Sequence, residues 1–326
     1  MIKKLLVTGA LALSVGMTAT AAYAQATTVP GEQVGLASGA PLPEGVYALD
    51  TFVYRSNDFN PAGAGVDVSV NVPVLVWATP YVPFGGRIEL LVAAPTVFAF
   101  GRGGGATGLR DTSINVGTLI GALWAFDIGG NVGVSVLGAV HLNDLDGDRG
   151  VLVQNNGVVA NRAVLTQLSS NTYRLGGAVS YTGDGYNLTA NLTGNIYDSP
   201  GRFDSRGGRT LGAIPISDAI NLDLTATKKF DIFNVGKPTF EIGAIGYGTV
   251  NVDSLGGTLG RGYFALGGLI GYDFGKFTAQ AYVARYVAAD TRLVRNADDV
   301  TEGWFRLIVP LYSPAAPPPA PLVRKY

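Results

Sequence analysis

The stretch Tyr186 to Tyr197, YNLTANLTGNIY, alternates without an exception: Tyr186, Leu188, Ala190, Leu192, Gly194 and Ile196 form one set, and Asn187, Thr189, Asn191, Thr193 and Asn195 the other. A period of two puts the two sets on opposite faces of a β-strand. The chain must therefore build a sheet with one apolar face and one ladder of amides and hydroxyls. A water-soluble sandwich does this with the ladder outside, and a closed membrane barrel does it with the ladder inside.

The spacing of the other strands separates these two cases. Twelve segments read as strands, near 45–56, 66–79, 85–99, 111–126, 130–142, 171–182, 186–198, 216–230, 237–252, 262–274, 277–290 and 302–312. Many reach the roughly 9–11 residues that cross a bilayer at a tilt. The gaps alternate: 80–84, 127–130, 183–185, 231–236 and 275–276 are short, whereas 57–65, 100–110, 143–170, 199–215, 253–261 and 291–301 are long. Aromatics flank each of the five short gaps: Tyr81 and Phe84, Trp124 and Phe126, Tyr181 and Tyr186, Phe230 and Phe233, Phe274 and Phe277. Amphipathic rings favour the membrane–water boundary, so this pattern reads as the periplasmic girdle of a barrel with short turns below and long loops above.

Charged residues make up only 14% of the chain while glycine reaches 46 of 326, against about 25% charged in an ordinary soluble domain. The surface is short of charge, as a lipid-facing surface must be. Residues 1–24 carry Lys3 and Lys4, an apolar run and an Ala22-Tyr23-Ala24 site, the pattern of a cleaved secretory signal. Without cysteine there is no disulfide or thiolate metal site, and a net charge of −1 with no basic patch argues against nucleic acid. The expected organisation is a signal at 1–24, a periplasmic N-terminal segment at 25–44, a barrel at 45–312 and a proline-rich periplasmic tail at 313–326.

Alternation assigns Arg87, Glu89, Arg174, Asn191, Asp223, Glu241 and Arg285 to the inner face as candidate lining of a solute passage. An Arg or Lys on the lipid face near the midplane costs about 2–4 kcal/mol, which favours the inward placement. The same residues could line a polar passage or lock into a salt-bridged plug. In the second strand Val66, Val68, Val70, Val72, Val74 and Val76 are expected to face lipid, with Leu75 and Trp77 inward. The last strand, WFRLIVPLY, reads as apolar on both faces. Such an apolar inner patch would receive a hydrophobic solute or pack the segment 25–44, and packing is the preferred reading.

Sites for chemistry are few. Asp144, Asp146 and Asp148 in NDLDGDRG are spaced like the opening of a calcium loop, but the distal bidentate Glu is missing, so they read as a solvated loop. GRGGGATG at 101–108 lacks the Lys-Ser/Thr ending and following helix of a phosphate cradle. The single histidine, His141, has Asn143 where a hydrolase on this strand would need a serine nucleophile, so it reads as a strand-end polar residue. No cofactor and no catalytic residue are expected.

The stretches GLRDTSINVGTLIGALWAF (108–126), FALGGLIGYDFGKFTAQAYVARYVAADTR (264–292) and EGWFRLIVPLY (302–312) resemble the outer-membrane proteins grouped as the MetA-pathway of phenol degradation family. Arg110 before Asp111 and HLNDLDGDRG after the fifth strand depart from that family's pattern. The resemblance implies a twelve-strand barrel that helps aromatic or other hydrophobic compounds across the outer membrane. The expectation is thus an all-β, twelve-stranded antiparallel transmembrane barrel in the outer membrane of a Gram-negative bacterium, with membrane lipid and a small solute as partners. Its expected function is passive uptake of a small, aromatic or hydrophobic compound, and the alternative is a structural or adhesive barrel with a plugged lumen. Oligomeric state is not readable from the sequence.

Overall fold

The computed structural model describes residues 28–55, 58–59, 64–102, 112–115, 117–142, 149–153, 159–163, 171–197, 218–232, 236, 238–252, 260–291 and 300–314. Twelve antiparallel strands close into a barrel. In chain order they are β1 (Gly45–Arg55), β2 (Ala64–Ala78), β3 in two pieces (Gly86–Ala93 and Thr96–Arg102) and β4 in two pieces (Thr112–Asn115 and Thr118–Gly129). They continue as β5 (Val132–Leu142), β6 (Thr172–Tyr181), β7 (Tyr186–Tyr197), β8 (Ala219–Phe230), β9 (Phe240–Asn251), β10 (Gly260–Asp273), β11 (Thr278–Thr291) and β12 (Thr301–Tyr312). Each strand pairs with its neighbours in sequence, and β1 joins both β2 and β12, from Val46↔Tyr312 to Arg55↔Glu302. Closure leaves no sheet edge, the condition for placing a sheet in lipid.

The strands fall close to the segments expected from alternation. The turn at 183–185 is tight because Asp184 (φ 54°) and Gly185 (φ 78°) both take the positive φ that a two-residue hairpin demands. Two irregularities interrupt the wall side by side. In β2 and β3, Pro73 and Pro95 fall in the gap between the pairs Asn71↔Thr96 and Val74↔Ala93, where neither can donate to the ladder. Across β3 and β4 the register slips by one residue between Thr96↔Asn115 and Ala93↔Leu119, a bulge. Within the expected long loop 143–170, Arg149–Val153 and Val159–Ala163 pair as a separate hairpin.

The outside is apolar and ringed with aromatics at the short-turn end. Tyr81, Phe84, Tyr186, Phe230, Phe274 and Phe277 are exposed there. Trp124 lies 4.8 Å from Phe126 and 6.1 Å from Phe84, centroid to centroid. Phe233 lies outside the described residues. In β2 the expected facing is reversed: Val68, Val70, Val72 and Val76 are buried inward, and Leu75 and Trp77 are exposed on the lipid side. The larger side chains cover more area against lipid, while the β-branched row packs flat inside against Val53, Ala93 and Val97.

Candidate functional site

The interior is divided into a polar half and an apolar half. The polar half comes from β6–β9 together with the inner faces of β11 and β12, and residues 28–44 are bound to it. This segment, expected in the periplasm, runs inside the barrel from the loop end to the turn end. The ladder of hydroxyls, amides and charges supplies its hydrogen bonds. Thr28 Oγ1 meets Asn195 Oδ1 at 2.7 Å, and the Gly31, Gly35 and Gly39 amides donate to Asp223 Oδ1 (2.7 Å), Thr225 Oγ1 (2.8 Å) and Ser180 Oγ (2.9 Å). Leu42 N donates to Glu89 Oε1 at 2.7 Å. In return, Asn187 and Gln280 donate to Gly35 O, Ser135 Oγ to Ser38 O, and Tyr282 OH to Gly31 O. A chain segment inside a barrel has unpaired N–H and C=O groups, and those groups must be satisfied when water is excluded. The Asn/Thr ladder performs that task.

Two arginines fix the segment further. Arg174 Nη1 pairs with Glu32 Oε1 at 2.6 Å, and its other Nη reaches Thr28 Oγ1. Arg306, wholly buried, donates to the Val34 and Glu32 carbonyls, to Thr51 Oγ1 at 3.0 Å and to Tyr282 OH at 3.2 Å. Gly39 is obligatory by close approach: a Cβ there would come within 2.6 Å of the Ser180 backbone nitrogen.

Towards the loop end a hydrogen-bonded aromatic cluster packs inside the barrel. Arg55 Nε lies 2.5 Å from Glu302 Oε1, with side-chain exposures of 4% and 0%. Glu302 also accepts from Tyr247 OH (2.5 Å) and Tyr286 OH (2.6 Å), and Trp304 Nε1 donates to Tyr247 OH at 3.0 Å. Tyr263 stacks on Tyr286 at 4.1 Å and Tyr282 on Trp304 at 5.2 Å. Burial of an ion pair is tolerated when further donors satisfy the carboxylate, as the two tyrosines do here.

Opposite the bound segment, the inner faces of β1–β5 leave a cavity of about 500 Å³. Its wall on that side is apolar: Leu49, Val72, Val74, Leu91, Leu119 and Leu137. It reaches from Pro95, at the wall irregularity, to Gly185, Lys229 and Thr278 at the turn end. The volume falls within the roughly 300–1,000 Å³ of small-molecule sites, which are mostly apolar with a few placed polar groups.

The residues expected on the inner face divide as follows. Glu89, Arg174, Asn191, Asp223 and Glu241 are buried inside. Glu89, Arg174 and Asp223 hold the N-terminal segment, Asn191 Nδ2 reaches Thr193 Oγ1 at 3.4 Å, and Glu241 accepts from Thr227 Oγ1 (2.5 Å) and Gln280 Nε2 (3.1 Å). Arg87 sits at the turn-end rim and donates to Thr79 O at 2.5 Å. Arg285 is a correction. Tyr282, Ala284 and Tyr286 are buried inward, so alternation turns Arg285 outward with Val283 and Val287. The inside here needs tyrosine hydroxyls for Glu302, and Arg285 stands beside Thr301, the first residue of β12 on the loop side. Asp144, Asp146, Asp148 and Asn143 lie outside the described residues, as do Gly103–Gly108. His141 is buried at the end of β5, 1% exposed. Arg55, Glu302 and Arg306 were missed. In EGWFRLIVPLY the parity of Glu302, Trp304 and Arg306 was the available signal, hidden by the apolar residues between them.

Twelve closed antiparallel strands, an apolar and aromatic exterior and a polar half-lumen define an outer-membrane β-barrel. The chain belongs to the family described as the MetA-pathway of phenol degradation, whose model matches residues 49–297. No curated protein matches the chain. Among solved structures, the COG4313 outer membrane channel from Pseudomonas putida F1 is 13% identical, with 83% of this chain and 97% of that chain covered and a TM-score of 0.60. The β domain of the Bordetella autotransporter BrkA is 14% identical over 82% of this chain and 99% of that chain, TM-score 0.48. The CymD monoaromatic hydrocarbon channel is 7% identical over 84% and 90%, TM-score 0.43. At 13% identity the likeness to the Pseudomonas channel establishes a shared fold.

Proposed function

We propose that this protein is a channel for passive uptake of small hydrophobic compounds, aromatic ones included, across the outer membrane of a Gram-negative bacterium. One observation carries the reading: the polar half of the lumen is occupied by the protein's own N-terminal segment, and what remains is an apolar cavity of about 500 Å³. A water-filled pore for polar solutes would leave the polar face open. Here the N-terminal segment engages most of the polar half and the apolar wall is left for the solute. The family's description as a phenol-degradation pathway agrees with an aromatic cargo. In this reading Glu89, Arg174 and Asp223 serve passage by holding the segment, and no reaction is assigned to any residue.

The test is uptake of a neutral aromatic by vesicles carrying the refolded protein, with Ala93→Phe as the variant, since Ala93 lines the cavity. The expected result is uptake above empty vesicles, reduced by the Phe side chain while ion conductance changes little. The occupied lumen also favours the second reading, a barrel that acts structurally. Vesicles that take up nothing, with a correctly folded barrel, would establish that reading instead.

A further inference from the structure

We infer that Lys229 makes the cavity selective for amphiphiles with an anionic head, an apolar or aromatic body bearing a carboxylate, and this rests on the uptake reading above. The charges lining the cavity differ in what they already hold. Glu32 and Arg174 neutralise each other at 2.6 Å. Glu89, 4% exposed, accepts the Leu42 amide, and Glu241, 2% exposed, receives one donor on each carboxylate oxygen, from Thr227 and Gln280. These carboxylates line the cavity with oxygens that already accept donors from the wall or from the bound segment.

Lys229 is different. It is half-buried, lines the cavity at the turn end and stands opposite Glu241 in the β8–β9 ladder. Among the described residues its ammonium has neither an ion-pair nor a hydrogen-bond partner. Its neighbour Lys228 faces outward and is engaged: its Nζ is 3.1 Å from Tyr186 OH and 4.2 Å from the Tyr186 ring centroid. The cation that the cavity leaves without a partner is therefore the Lys229 ammonium, at one end of an apolar wall. An ammonium with spare donors binds a carboxylate by charge-assisted hydrogen bonds, stronger than those to a neutral hydroxyl. Entry of an anionic amphiphile would place its body against Leu91, Leu119 and Leu137 and its head towards the periplasmic mouth.

The experiment measures binding of phenylacetate, phenethyl alcohol and phenethylamine to the full-length protein in lipid nanodiscs, for the wild type, Lys229→Gln and Lys229→Arg. The expected order in the wild type is phenylacetate about tenfold tighter than the alcohol, with the amine weakest. Lys229→Gln should bring phenylacetate to the level of the alcohol without changing the alcohol, and Lys229→Arg should restore the preference. Equal binding of acid and alcohol by the wild type would overturn the head-group assignment and leave the uptake reading standing. Preference for the amine would overturn it in favour of the carboxylates. Binding of none of the three would overturn the cavity reading itself.

Discussion

The buried pair Arg55–Glu302 shows how much a single side chain decides in this lumen. Both groups are almost wholly buried, and Glu302 is shared by an arginine and two tyrosines. Glu302→Gln would leave the Arg55 guanidinium without its counter-charge, so refolding into lipid vesicles followed by urea titration should show a loss of about 3–5 kcal/mol. Arg285 gives the opposite expectation. Alternation assigned it to the lumen with the cost of membrane-facing charge in support, yet that cost falls to about 0–1 kcal/mol near the interfaces. Since Arg285 points outward beside Thr301, Arg285→Leu should leave the ion preference of the protein in a planar bilayer unchanged. A shifted reversal potential in that variant would contradict the placement.

At the scale of the element, residues 28–44 behave as an added inner strip held by hydrogen bonds and by Val29 and Val34, which are buried in the hydrophobic cluster of the barrel. Such a strip is displaced by a local clash. Gly39→Val would drive its side chain into backbone atoms of Val179 and Ser180, neither of which can give way as a flexible side chain could. Single-channel conductance should rise in this variant, because the polar half-lumen becomes available to water and ions. The alternation in YNLTANLTGNIY made the inner ladder legible, as Thr189, Thr193 and Asn195 at 6%, 2% and 1% exposure confirm. It could not show what the ladder binds. An Asn facing water and an Asn facing a backbone carbonyl give the same pattern in sequence. The row of valines in β2 failed for another reason: Asp67, Ser69 and Asn71 alternate with it and suggest that the valines face lipid, whereas packing against neighbours buried the valines and turned Leu75 and Trp77 outward.

For the whole molecule, the wall closes through backbone hydrogen bonds between neighbouring strands, from β1 round to β12, and none of these involves residues 28–44. Removing 28–44 should therefore leave a folded barrel, seen as retained heat-dependent migration in a denaturing gel, with conductance above that of the intact protein. The lumen groups thus exposed would be hydrated instead of left unsatisfied, which limits the loss of stability.

The period of two, the alternation of short and long gaps and the aromatics beside every short turn were enough to determine a twelve-strand outer-membrane barrel, because lipid forces each strand to show an apolar face and forbids an open edge. Those constraints act locally, residue by residue, and so are written along the chain. The use of the lumen depends on which distant residues meet: Gly31 with Asp223, Glu32 with Arg174, Arg55 with Glu302. Such pairings are set by barrel closure and by the path of the N-terminal segment, and only the tertiary structure brought them together to leave a cavity with an apolar wall and Lys229 at its turn end.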